Sequence, residues 1–159
     1  MNEIERIQAL SNAFGPSGFE DEVSTIVKNE LSEFDCVEDH LRNVRTTINP
    51  EGKGIKVMLD AHLDEVGMIV QAVKPNGTMK FLPIGGWMPT NFPSSPFRIK
   101  NKDGEYVKSI VTAKPPHFAS AAEKNAAPSV DNMVLDCGST SLEETINDYK
   151  VGIASPAVP

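Results

Sequence analysis

Proline placement constrains the folding of this 159-residue chain more than any other feature. Ten of its twelve prolines follow Lys74, and only Pro16 and Pro50 precede it. Proline lacks a backbone N–H and its ring clashes with the preceding helical turn, so a proline-dense segment favours short strands and turns. The first part is therefore helix-permissive, and a boundary is expected near residues 67–74.

Local patterns fill in both halves. Ile4, Ile7, Leu10 and Phe14 recur at helical spacing and are closed by Gly15-Pro16. Ser17-Gly18-Phe19-Glu20 reads as a capping box, with Val23, Ile26, Val27, Leu31 and Phe34 following on one helical face. One or two strands are expected within 36–48, ended by a turn at Asn49-Pro50-Glu51-Gly52. Ile55–His62 contains consecutive apolar residues at Val57, Met58 and Leu59, the pattern of a strand buried on both faces. Helices, strands and a buried strand predict the start of an α/β layer structure. Beyond Gly67, strands are expected at 68–73, 78–83, 96–100, 106–112 and 130–137, with turn signals at Pro75-Asn76-Gly77 and Lys102-Asp103-Gly104. A short helix is expected from Ser141 to about Tyr149, stopped near Gly152.

Charge and cysteine usage narrow the function classes. The formal net charge of −7 argues against nucleic acid, whose phosphates demand a basic face. No apolar run approaches the ~18 residues of a membrane span. The opening MNEIERIQALSNAFG carries acids and no apolar signal-peptide core. Cys36 and Cys137 stand far apart, so a reduced, cytoplasmic protein is expected.

The densest polar cluster is Asp60-Ala61-His62-Leu63-Asp64-Glu65, directly after the expected buried strand. Ligands of open α/β sheets bind beyond the carboxyl ends of strands. His62 and Asp64 are two apart, so on an extended backbone they leave the same side. His62 is then the candidate ligand of a divalent metal, and Asp64 the carboxylate that orients its imidazole or the bound water. The same triplet also suits acids that merely solvate a strand end. One histidine does not complete a metal site, since catalytic zinc takes about three protein ligands. His40 and His117 read as exposed or packing histidines. Pairs such as Asp60 with Asp64 or Glu65 leave a glycosidase open. No nucleophile elbow, dinucleotide fingerprint or Walker A sequence occurs.

On these residues the chain resembles the glutamyl/deblocking aminopeptidase family, the zinc- or cobalt-dependent tetrahedral aminopeptidases. The matching segments are Gly15–Val23, Val57–Val70, Phe81–Trp87, Ala113–Phe118 and Asp136–Glu144. The resemblance implies an α/β/α metallopeptidase catalytic domain with an inserted small β-barrel-like dimerisation domain. On that plan, residues 1–66 begin the catalytic domain, 67–152 form the insert, and 153–159 start the return. His62 matches the first metal-binding histidine and Asp64 the acid that orients it. Two divalent metal ions, zinc or cobalt, bridged by an attacking water, are implied, with removal of N-terminal residues from peptides as the reaction. Peptide substrates, homo-oligomerisation through the insert and a cytoplasmic location follow from the same resemblance, with neither nucleic acid nor membrane as partner.

The family's remaining ligands and general base lie beyond the segments matched here, and the acids Asp131, Asp136, Glu143 and Glu144 match none of them. The expectation is a partial metal site and no peptide hydrolysis by this chain alone. The alternative is a truncated, non-enzymatic homologue acting as a β-domain binding or assembly module. Arg42, Ser109 and Ser139-Thr140 stand where the family often has glycine-containing sequence, and IASPAVP lacks the usual Gly-Asp.

Overall fold

The computed structural model describes residues 1–147 and the backbone of 153–156. The chain divides into two compact units, Met1–Glu65 and Val66–Pro159, giving a mixed α/β protein with a curled sheet.

The first unit contains helices α1 (Glu3–Asn12) and α2 (Asp21–Glu30), and an antiparallel hairpin of β1 (Cys36–Glu38) and β2 (Val44–Thr46). A capping box starts α1: the Asn2 side chain accepts from the Glu5 amide and the Glu5 carboxylate accepts from the Asn2 amide, each at 2.9 Å. The box expected at Ser17 does not form. Gly18 at φ +88° turns the chain, the Phe19 amide donates to the Pro16 carbonyl, and the Gly18 amide takes up the Glu20 carboxylate at 2.7 Å. That turn engages the carboxylate the box requires, and α2 starts later, with Glu20 as its N-cap.

Packing in this unit is thin. Its buried apolar side chains among the described residues are Ala13, Phe14 and Val23, while Ile4 and Ile7 on α1 are 70% and 65% exposed. Arg42 occupies a left-handed position at φ +67°, which costs a non-glycine residue about 1–2 kcal/mol. Its guanidinium joins Asp21 of α2 to Glu38 of β1. Ser109 and Ser139 show no such strain; their hydroxyls donate to the Phe97 and Gly77 carbonyls at 3.1 and 3.3 Å.

Ile55–His62 departs from expectation. It forms no strand, and Ile55, Val57, Met58 and Leu59 are 94%, 77%, 87% and 94% exposed. A strand covered on both faces needs neighbours on both edges and layers above and below. The first unit offers only the β1–β2 hairpin, whose strands pair with each other.

The second unit is a ring of antiparallel strands: β3 (Gly67–Val73), β4 (Met79–Ile84), β5 (Pro96–Lys100), β6 (Tyr106–Ala113), β7 (Met133–Asp136) and β8 (Ile153–Pro156). They close in the order β3-β4-β7-β6-β5-β8. Alternation along each strand sends one side chain in and the next out. On β5, Phe97 and Ile99 are buried while Arg98 and Lys100 are only half-buried. Met68, Met79, Phe81, Phe92, Val111, Met133 and Leu135 complete the core with them.

Residues 153–159 were assigned above to a chain leaving this unit, whereas Ile153–Pro156 pairs with both β3 and β5 and closes the ring. The strand expected at 130–137 is shortened, because Val130–Asn132 forms a 3-10 turn capped by Ser129. The Ser141 cap is present, its hydroxyl accepting from the Glu144 amide at 3.2 Å at the start of α4 (Leu142–Asn147). The expected helix end at Tyr149 and stop at Gly152 lie outside the described residues. Gly77 turns β3 into β4 at φ +84°, and a Cβ there would meet Ser139 Oγ at 2.7 Å. Only glycine satisfies both the dihedral and that contact.

Helix α3 (Ala121–Asn125) was not anticipated, although Ser120-Ala121-Ala122-Glu123 spells its capping box. The Lys114 ammonium and the Ser120 amide, both donating to the Glu123 carboxylate, lower its pKa from 4.5 to about 2. A carboxyl with a depressed folded-state pKa stabilises the fold above its ordinary value and loses that contribution as pH falls through the folded value. A carbon-13 titration of the Glu123 carboxyl is expected to give a midpoint of about 2. Replacing Lys114 by Met is expected to move that midpoint up toward 4.5. An unchanged midpoint in the variant would remove the ion pair as the principal cause.

Candidate functional site

The site is assembled where the loop after α1 meets the segment entering the second half of the chain. Phe14 is buried, and its amide donates to the Glu22 carboxylate of α2 at 3.1 Å. The next residue, Gly15, is clamped to Glu65 twice: the Gly15 amide donates to Glu65 Oε1 at 3.1 Å and the Glu65 amide to the Gly15 carbonyl at 2.8 Å. Pro16 and Glu65 form a parallel β-bridge at the same point. Gly15 also suits the close approach of α2, since a Cβ would lie 3.1 Å from Val23 Cγ1. These ties fix the backbone immediately after His62-Leu63-Asp64.

His62 Nδ1 lies 3.1 Å from Asp64 Oδ1 and 2.9 Å from the Asp64 carbonyl. Both partners are acceptors of a hydrogen bond, so Nδ1 carries the proton and donates. In the neutral ring, Nε2 then holds the lone pair, the form in which imidazole binds a metal. The His62 side chain is 86% exposed and that of Asp64 43%. Leu10, Ala13, Val23, His62, Asp64 and Glu65 border a hollow of about 250 Å³.

Donor chemistry therefore fits one metal ligand with its positioning carboxylate. Among the described residues, no group of three or more His, Cys, Asp or Glu side chains is arranged to hold a metal ion. His40 and His117 are exposed and lie elsewhere; the His117 ring sits edge-on to Phe118 at 5.9 Å. The second-unit acids serve local structure: Asp136 accepts from the Gly138 amide at 2.8 Å and Glu144 from the Thr140 amide at 2.7 Å. Asp60 is exposed and makes no hydrogen bond with Asp64 or Glu65 among the described residues, while Glu65 is engaged by Gly15, an arrangement unlike a facing carboxylate pair.

Sequence patterns pointed to His62 and Asp64 but not to Glu22 and Glu65. Their signal was a glycine-proline turn in one segment and an acid in a distant one, a pairing that local spacing does not encode. Both cysteines, Cys36 and Cys137, are free. Among the described residues, no helix is long and apolar enough to cross a membrane.

A family model described as M42 glutamyl aminopeptidase matches residues 43–158. FrvX of Escherichia coli K12, a candidate aminopeptidase, is 32% identical over 143 residues, 89% of this chain and 40% of its own. The crystal structure of a TET aminopeptidase from a marine sediment Thaumarchaeota archaeon is 31% identical, with a TM-score of 0.81 over 96% of this chain and 44% of that one. The TET1 peptidase of Pyrococcus horikoshii, which can assemble into a tetrahedron or a large octahedral shell, shares the fold at 23% identity and a TM-score of 0.80. That match covers 96% of this chain and 46% of the other. The chain thus spans less than half the length of these relatives.

Proposed function

This chain belongs to the M42 glutamyl aminopeptidase family, and from that premise we propose that it carries part of the centre of a metal-dependent aminopeptidase acting on peptide N-termini. His62 is the metal ligand through Nε2, and Asp64 is the positioning residue that holds the ring and its tautomer. The observation that carries this reading is the double acceptor contact on Nδ1, which leaves Nε2 as the ring's lone-pair atom. When bound, two divalent ions, zinc or cobalt, would supply Lewis-acid polarisation of the scissile carbonyl and acidification of water. The chain's own part is to present one imidazole in its basic tautomer, on a backbone pinned by Gly15 and Glu65. Peptide hydrolysis needs further ligands and a base, so the 159 residues alone are inactive in this reading. Free cysteines suit a reduced, cytoplasmic setting.

Zinc added to the purified chain is expected to shift the His62 imidazole resonances and to bind without peptidase turnover. His62→Ala abolishes that binding, and Asp64→Ala weakens it on the order of 10–100-fold. Binding unaffected by His62→Ala sinks the ligand assignment, and turnover by the chain alone sinks the partial-site reading.

The assembly reading has an observation of its own. Ile69 of β3 and Leu82 of β4 stand opposite each other in register, 38% and 48% exposed on the outside of the ring. An apolar cross-strand pair facing outward is suited to self-association, and the β-ring is the proposed dimerisation domain, as an insert between parts of the catalytic fold.

A further inference from the structure

Ile55–Ala61 is left unexplained by the proposed site. Residues 55–64 contain neither helix nor turn, and no backbone group of residues 53–62 makes a hydrogen bond among the described residues. An apolar, β-branched run with both edges open is a template for strand addition. The question is which strand it would accept, and its own charges give an answer.

We propose that Ile55–Ala61 pairs antiparallel with the same segment of a second copy of this chain, about a two-fold axis through Met58. An isologous contact sets the same residues against each other in reverse order. With the axis at Met58, Lys56 lies opposite the partner's Asp60, and Asp60 opposite the partner's Lys56. Val57 meets the partner's Leu59, and Ile55 meets the partner's Ala61. Alternation then collects Ile55, Val57, Leu59 and Ala61 on one face and Lys56, Met58 and Asp60 on the other. Opposite charges and apolar pairs directly across a ladder both stabilise it.

Neighbouring registers lose this match. An axis between Val57 and Met58 sets Ile55 against Asp60 and Lys56 against Leu59. An axis between Met58 and Leu59 sets Val57 against Asp60 and Lys56 against Ala61. Parallel in-register pairing stacks Lys56 on Lys56 and Asp60 on Asp60, where like charges destabilise. The apolar run supplies the drive to associate, and the flanking charges select the register. The contact belongs to the first unit and stands apart from both metal binding at His62 and association through the β-ring.

The test uses the full chain with Cys36→Ser and Cys137→Ser, so that only an introduced thiol can cross-link. Under a mild oxidant Met58→Cys is expected to form a disulfide-linked dimer. Ile55→Cys is not, because six residues of strand rise place the two copies of that position roughly 20 Å apart. Sedimentation equilibrium gives the second arm: Lys56→Glu and Asp60→Lys each weaken the dimer by about tenfold or more, and the combined reversal restores it. These side chains are exposed, and circular dichroism verifies that each variant keeps its helices. Equal cross-linking at positions 55 and 58, or a double reversal that fails to restore association, overturns the proposal. Self-association indifferent to both single reversals assigns dimerisation to the second unit and equally overturns it. A chain that remains monomeric does the same.

Discussion

Replacing Phe92 by Ala is expected to destabilise the second unit by about 3–5 kcal/mol, the usual range for removing a buried aromatic ring. Phe92 is fully buried although it belongs to none of the strands; it follows a 3-10 turn at Pro89–Asn91. Its ring plugs the space inside the curled sheet, 4.6 Å from Trp87, 5.4 Å from Phe81 and 6.3 Å from Phe97 between centroids. Dispersion contacts to three rings disappear together in the alanine variant, and the strands that carry Phe81 and Phe97 are hydrogen-bonded into a ring that resists collapse around the void. Trp87 is the chain's only tryptophan, so urea unfolding followed by its fluorescence reports this unit directly. The midpoint should fall sharply for Phe92→Ala. The same measurement on Phe118→Ala, a ring 73% exposed, should change stability by no more than about 0.5 kcal/mol. Equal effects from the two substitutions would show that Phe92 does not plug the core.

The second unit was readable in outline because its strands are short, alternating and separated by glycine turns. Pro96–Lys100 is the clearest case, its expected and observed limits coinciding. Phe97 and Ile99 point inward at period two, and Gly104 turns the chain at φ +84° before β6 begins. Ring closure by Ile153–Pro156 was not readable. Nothing in that short run distinguishes a strand that leaves the unit from one that pairs on both sides. The reverse failure occurred at Val57–Leu59. An apolar run states a demand for burial, but the supply comes from neighbouring strands, and β1 and β2 spend their hydrogen bonds on each other. The Ser17 box failed for a local reason: Gly18 in the left-handed region bends the chain before a helix can begin.

The site divides along the same line. His62 and Asp64 were identifiable because the contact spans two residues, a distance over which backbone geometry determines side-chain direction. Glu65 and Gly15 are fifty positions apart, and their reciprocal hydrogen bonds exist only once α1 has ended and the chain has returned. Sequence therefore supplied the ligand and its orienting acid, and the fold supplied the frame that holds them.

That frame is predicted to depend on one side chain. Phe14→Ala removes the largest buried apolar group of the first unit, where Ala13 and Val23 are the other buried apolar side chains described. A unit of this size has a stability of roughly 3–10 kcal/mol at about 0.05–0.15 kcal/mol per residue. Loss of about 3–5 kcal/mol therefore removes much or all of it. The consequence extends to chemistry, because Phe14 precedes the residue clamped to Glu65 and its own amide bonds Glu22. Amides of α2 should lose their protection from hydrogen exchange, the helical circular dichroism should fall, and the His62 response to zinc should weaken in parallel. Ile7→Ala, at a position 65% exposed on α1, should leave α2 exchange and zinc response nearly unchanged. Persistent α2 protection in Phe14→Ala would mean that the first unit is held by something other than its buried apolar contacts. The ion pairs of Arg42 to Asp21 and Glu38 would then be the next cause to test, since they join α2 to the hairpin without apolar burial.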